Sequence, residues 1–197
     1  MLRFLATGDE PRVAGVDPPH APHDYGVAVI LNGLADRGVV PADQVQPLRD
    51  AIATFLVASQ LTVQDQAAAD RMFAQAREMT ARLPEPSRTY MQYVNDRAVQ
   101  RLGAVLVPYL NQLGADDPAL SPELAPPPSA PVYLLHGHDD NVIPAAESVL
   151  LADSLEARGA EVKVLISGLI THAQVSTSAT VSDAWQLVRF WTDVLRH

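Results

Sequence analysis

The sequence contains no cysteine. Disulfides, thiolate metal sites and a cysteine nucleophile are therefore excluded. Basic residues are scarce: 14 Lys and Arg stand against 23 Asp and Glu, for a formal net charge of -9. They form no run anywhere along the chain. A nucleic-acid surface needs clustered Lys and Arg to neutralise phosphates, so none is expected. No apolar stretch approaches the ~20 residues needed to span a bilayer. Residues 1–10 lack the charged start and long apolar centre of a signal peptide, so the cytoplasm is the expected location. What is present is a chain of 197 residues, 48% apolar and 19% charged. That suits one globular domain with a sizeable core.

The texture changes along the chain. Residues 1–42 hold a short helix-like start at Leu2 and Leu5. An apolar run over 12–16 follows, ended by Asp17-Pro18-Pro19, which reads as a short buried strand. The run 27–34 fits either state: Val27, Ile30, Leu31 and Leu34 share a helical face, while Val27, Val29 and Leu31 alternate. Helix is the preferred reading.

Residues 43–114 are helical in pattern. Val45, Leu48, Ile52, Phe55 and Leu56 recur at steps of three and four, as do Met72, Phe73, Ala76, Met79 and Leu83 before Pro84. Ser87 is a candidate N-cap for a helix carrying Tyr90, Tyr93 and Val94. A further helix runs over about 98–113, with Pro108 as a kink and Gly114 as its stop. Residues 115–131 contain six prolines and read as a stiff connector.

Residues 132–197 change again. Val132-Tyr133-Leu134-Leu135 reads as a buried strand, Pro144 opens a helix that Gly159 closes, and Val162, Val164 and Ile166 alternate as a second strand. A last helix carries Ala184, Leu187, Val188, Trp191 and Leu195 on one face, with Ser182 as its cap. Strand, helix, strand, helix implies parallel pairing with right-handed crossovers. The stretch 31–41 echoes 135–144 (Leu-Asn-Gly against Leu-His-Gly, each followed by Asp and then Pro). The flanks do not repeat, so the echo reads as coincidence.

In an open parallel sheet, functional groups gather at the carboxyl ends of the strands. The first such end here leads into His136-Gly137-His138-Asp139-Asp140-Asn141-Val142-Ile143-Pro144, and the second into Ser167-Gly168-Leu169-Ile170-Thr171-His172. An acid and a histidine thus leave neighbouring strands at one edge. A carboxylate needs that placement to orient an imidazole and stabilise its protonated form. Each residue also has a structural reading: Asp140 as a cap for the helix at Pro144, and His172 as a surface histidine. Asp139 is the competing acid and reads as a solvated turn residue. His136 reads as structural and His138 as solvated. His20, His23 and Asp24 are spaced too loosely to suggest a metal site.

The segment 130–172 resembles the end of an α/β-hydrolase, of the dienelactone-hydrolase and esterase/peptidase branches. Their pattern is an apolar strand, His-Gly, two residues, Asp, then Val-x-Pro opening a helix. The resemblance implies a fold class of α/β: a partial α/β-hydrolase fold, with a short parallel sheet, flanking helices and an all-helical lid-like insertion. It implies Asp140 as the triad acid and His172 as the triad histidine, 32 positions on, with no cofactor and no metal. The order of acid before histidine agrees with the hydrolase order of nucleophile, acid, histidine.

That resemblance is incomplete. The fold presents its nucleophile in Gly-x-Ser-x-Gly on a sharp strand-to-helix turn. None of Ser59, Ser87, Ser121, Ser129, Ser148, Ser154, Ser167, Ser176, Ser178 or Ser182 has glycines at that spacing. By position, residues 1–42 resemble the helix and strand after the nucleophile, 43–114 the lid and 132–197 the end of the core. The missing serine is then expected before Met1. Three readings follow. The first is the acid–histidine part of a serine hydrolase of carboxylic esters or related acyl bonds, with an ester-like small-molecule substrate. The second is an inactive remnant kept for binding or assembly. The third is slow hydrolysis by an unconventional nucleophile or a His172-activated water, without an oxyanion hole. Three parallel strands, the first lacking its inner neighbour, leave an open edge and also predict self-association, or pairing with a second chain that supplies the missing strands.

Overall fold

The computed structural model describes residues 2–8, 13, 24–114, 122, 124–138, 140, 142–170 and 181–196. The chain is mostly helical, with a short parallel sheet of two strands among the described residues. It divides into two compact units: Leu2–Asp9 with Pro22–Ala115, and Glu10–Ala21 with Asp116–His197. The expected strand at 12–16 lies outside the described residues, apart from Val13.

The first unit is all helix. In chain order it contains α1 (Leu2–Thr7), α2 (Asp24–Leu34), α3 (Val45–Leu61), α4 (Gln66–Arg82), α5 (Ser87–Asn95) and α6 (Val99–Leu106). The ambiguous run 27–34 takes its helical form: Val27, Ile30, Leu31 and Leu34 are all buried. Leu31 and Leu34 therefore sit in a helix whereas Leu135 sits in a strand, so the sequence echo is not a structural repeat.

α3 and α4 form a helical hairpin. Their three-and-four spacing brings Leu48, Ile52 and Phe55 from α3 into the core with Ala69, Phe73 and Ala76 from α4. Phe55 and Phe73 meet edge to face, 5.4 Å apart at 61°. Asp65 caps α4 by accepting from Ala68 N at 2.9 Å.

Ser87 does not cap α5. It is the first residue of that helix and donates its hydroxyl to Gln44 Oε1 at 2.7 Å, away from the helix end. Gln44 is 6% exposed and satisfies its other end by donating Nε2 to Glu85 O at 2.9 Å. This fully paired group spans two buried side chains, as a buried amide requires.

α6 stops at Leu106 and continues as a 3-10 turn over Val107–Leu113. Pro108 explains the break, since it has no N–H to carry the helical ladder on. Gly114 ends the segment with φ of 79°, a left-handed conformation that suits glycine. Gly103 is needed for a different reason. A Cβ there would lie 1.7 Å from Ala6 O, so only glycine lets α1 approach α6 this closely.

The second unit contains β1 (Val132–Gly137), α7 (Ala145–Glu156), β2 (Val162–Ser167) and α8 (Val181–Val194). β1 and β2 are parallel, with Val132 opposite Val162 and Gly137 opposite Ser167. Alternation sends Val132, Leu134 and His136 to one face, where α7 packs, and Tyr133 and Leu135 to the other, where α8 packs. Tyr133 meets Phe190 of α8 edge to face at 5.6 Å. α8 begins at Val181, so Ser182 lies inside the helix and does not cap it.

α7 is anchored at both ends. Pro144 precedes its first residue, and Gly159, with φ of 87°, follows its end. Arg158 fastens the proline-rich connector to this helix, donating to Ala125 O at 2.7 Å and Pro122 O at 3.2 Å. The connector's carbonyls cannot be satisfied by a strand ladder, so a guanidinium fork supplies donors.

Candidate functional site

The register of β1 and β2 brings their carboxyl ends together. Gly137 pairs with Ser167, and His138 N donates to Ser167 O at 3.0 Å, extending the ladder by one bond. Both loops singled out in the sequence leave the sheet from this edge.

The loop after β1 is organised by Asp140. Its Oδ1 accepts from Val142 N at 2.8 Å and Ile143 N at 2.9 Å. A carboxylate clamped by two backbone N–H groups is held in a fixed plane by charge-assisted bonds. The backbone N–H of Asp140 points back to Gly137 O at 3.4 Å. The side chain is 10% exposed. Asp140 therefore does not cap α7, whose N-cap is Pro144 with no side-chain bond; its Oδ1 instead closes a turn within the loop.

Asp140 Oδ2 faces His136, lying 3.6 Å from Nε2, and the His136 side chain is 11% exposed. His136 has nearer partners. Nε2 lies 2.7 Å from Ile143 O and Nδ1 lies 2.6 Å from Ser148 Oγ on α7. A carbonyl only accepts, so Nε2 carries the proton, and in the neutral ring Nδ1 accepts from the Ser148 hydroxyl. His136 thus ties β1, the loop and α7 together.

Ser148 is the participant that sequence reasoning misses. With His136 and Asp140 it forms a serine–histidine–acid constellation by proximity. Its position argues against nucleophilic use. Ser148 lies in the first turn of α7, on a helix and not on the sharp strand-to-helix turn that holds a nucleophile exposed, and its hydroxyl is already engaged by His136. The Asp140 contact is also longer than the bond from His136 to the Ile143 carbonyl. No motif marks Ser148, because a bond from strand to helix across 12 positions has no sequence signature.

The second loop begins with Ser167, 3% exposed, whose Oγ accepts from Leu169 N at 3.2 Å. His172 lies outside the described residues, as do Asp139, His20 and His23. Asp24 begins α2. His138 is exposed. Among the described residues no group of His, Asp and Glu is placed to hold a metal ion. No described helix is long and apolar enough to cross a membrane.

A second polar cluster lies on the opposite face of the sheet. Lys163 pairs with Asp193, sits 3.6 Å from Glu161 and lies 5.4 Å from the centre of the Tyr133 ring. The Tyr133 hydroxyl donates to Asp193 at 3.2 Å. The bond to Asp193 holds the Lys163 ammonium above its ordinary range. Desolvation, then the Asp193 charge, push the Tyr133 phenol up. These groups neutralise one another and pin α8 to β2.

Comparison with protein-family models, with curated proteins and with solved structures found no match to this chain.

Proposed function

We propose that this chain carries the acid and histidine of an α/β-hydrolase-type serine hydrolase acting on carboxylic esters or related acyl bonds, with Asp140 orienting His172. The clamped carboxylate is the observation that carries this reading. Asp140 Oδ1 is fixed by Val142 N and Ile143 N, which holds the carboxylate in one plane at the carboxyl end of β1, with Oδ2 turned towards His136. The carboxyl end of β2, five positions before His172, lies beside the end of β1. In this reading the imidazole takes a proton from a serine that these residues do not include, and Asp140 stabilises the imidazolium. Oxyanion donors come with that serine, so the chain by itself is catalytically silent.

The alternative is a non-catalytic module derived from such an enzyme. It is favoured by the lack of any glycine-flanked serine, and by the place of Ser148 on a helix and not on a strand-to-helix turn.

NMR titration of the His172 ring separates the two without needing a nucleophile. A carboxylate beside an imidazole favours its charged form. Asp140→Asn keeps an accepting oxygen but loses the charge, so it should move the His172 titration to lower pH. An unchanged titration removes the acid–histidine pair from consideration. A fluorophosphonate probe should label nothing, and labelling of Ser148 would overturn the silent-chain reading.

A further inference from the structure

α8 is amphipathic, yet it turns its larger apolar face outward. Leu187, Phe190 and Val194 are partly covered, whereas Trp185 is 63% exposed, Val188 53%, Trp191 49% and Leu195 84%. With Val181 at 88%, the exposed positions 181, 185, 188, 192 and 195 follow a seam in alternating steps of four and three; all but Thr192 are apolar, and Trp191 borders it. That spacing is the signature of a helix that packs against another helix. Elsewhere the large exposed apolar residues, such as Val29, Val57, Val107 and Leu150, stand singly.

The face is large. From aromatic and aliphatic side-chain areas, its exposed apolar surface is on the order of 500 Å², more than half of the ~800 Å² that one side of a standard interface buries. A shallow groove of about 500 Å³ runs along it, lined by Trp185, Val188 and Thr192 and edged by Lys163, Arg189 and Arg196.

Charge decides the occupant. Lys163 is neutralised by Asp193. Arg189 and Arg196 follow seam positions 188 and 195, so both lie on one flank of the seam. Neither forms an ion pair with a described residue. On the other flank stand Ala184 and Trp191. Pairing α8 antiparallel with its own copy would set arginine flank against arginine flank. Pairing it parallel would set the arginines against Ala184 and Trp191. The carboxylate that a copy would bring, Asp193, is already engaged by Lys163, and no other described helix of this chain exposes a matching apolar row. We infer that the outer face of α8 docks an amphipathic helix of a different polypeptide, one whose apolar row is flanked by Asp or Glu.

This docking face is independent of the hydrolase reading, since it uses no residue of the Asp140 loop. The two tryptophans of the chain, Trp185 and Trp191, both lie on it and report its occupancy. Titrate the purified protein with two helical peptides that share one leucine row, one flanked by glutamates and one by lysines. The glutamate peptide should shift tryptophan emission to the blue saturably, bind about tenfold more tightly than the lysine peptide, and weaken with added salt. The double variant R189E/R196E should keep the helical circular dichroism spectrum and reverse the preference. Equal binding of both peptides, or no emission shift with the glutamate peptide, overturns the inference. So does concentration-dependent self-association that Trp185→Asp abolishes, which assigns the face to a second copy. Salt dependence in the unmodified chain preserves the test if the double variant fails to fold.

Discussion

The two compact units differ in how much of themselves they hide. The largest fully buried side chains, from Phe4, Leu31 and Leu48 to Met91 and Leu106, all belong to the helical unit. Among its described residues the strand–helix unit buries only Gly137, Pro144, Ala145, Ala146, Ala152, Leu155 and Ser167, and α8 buries none. The physical reason lies in the backbone. Helices satisfy their own hydrogen bonds, so a bundle closes once its apolar faces meet. A strand satisfies only the side its neighbour covers, and a parallel pair needs cover on both faces as well. The helical unit therefore turns its large apolar side chains inward, while the strand–helix unit leaves those of α8 facing outward.

The sharpest break of this contrast is Phe55→Ala. Loss of a fully buried ring should cost about 3–5 kcal/mol in urea denaturation. NMR signals of His136, in the other unit, should persist past the midpoint of the helical transition. A single transition for both units would mean that they are not energetically distinct.

Gly103→Ala comes next. Its new methyl meets the Ala6 carbonyl, so α1 must move off α6, at a cost of about 1–3 kcal/mol. Amide exchange at Phe4 and Leu5 should rise in that variant, and unchanged exchange would sink the claim of close approach.

In the strand–helix unit the matching probe is Asp140. Asp140→Ala strands two backbone N–H groups and should cost about 1–2 kcal/mol, whereas Asp140→Asn retains an acceptor and should cost less. Equal losses would mean that charge, rather than the clamp, holds the loop. Trp185→Ser, on the exposed face, should stay within about 0.5 kcal/mol of the parent protein.

The smallest effect is on pH. The Lys163 ammonium is held above its ordinary 10.5 by Asp193. A raised folded-state value means that the pair's contribution is complete below the unfolded value and lost as pH climbs through the folded one. Any difference in melting temperature between the parent and Lys163→Gln should accordingly shrink above pH 10.5 and hold steady below it.

The helices are legible in the sequence because three-and-four spacing reports which residues share a face. It does not report what that face meets. Ala184, Val188, Trp191 and Leu195 do share one side of α8, but that side looks outward, since the strands take Phe190 instead. Ser87 has a capping residue's identity, yet its hydroxyl finds Gln44, 43 positions away. Asp65 has the same identity and does cap its helix, so residue type alone does not separate the two. At the site, the two strand ends that lead into the loops are readable, whereas the clamp at Asp140 is not, since that residue closes a turn within its loop instead of capping the helix at Pro144. The Ser148–His136 bond is not, because it depends on how α7 lies across β1.

Lys163 is the only lysine in the chain. Amine-directed reagents therefore have one side-chain target, and it is already engaged by Asp193. A protonated, paired ammonium is a poor nucleophile. Slow acylation at neutral pH would report an intact α8–β2 contact, and a burst of labelling would mark the moment α8 lifts from the strands. The ion pair that fastens α8 thus doubles as a single-site chemical gauge of whether that helix is in place.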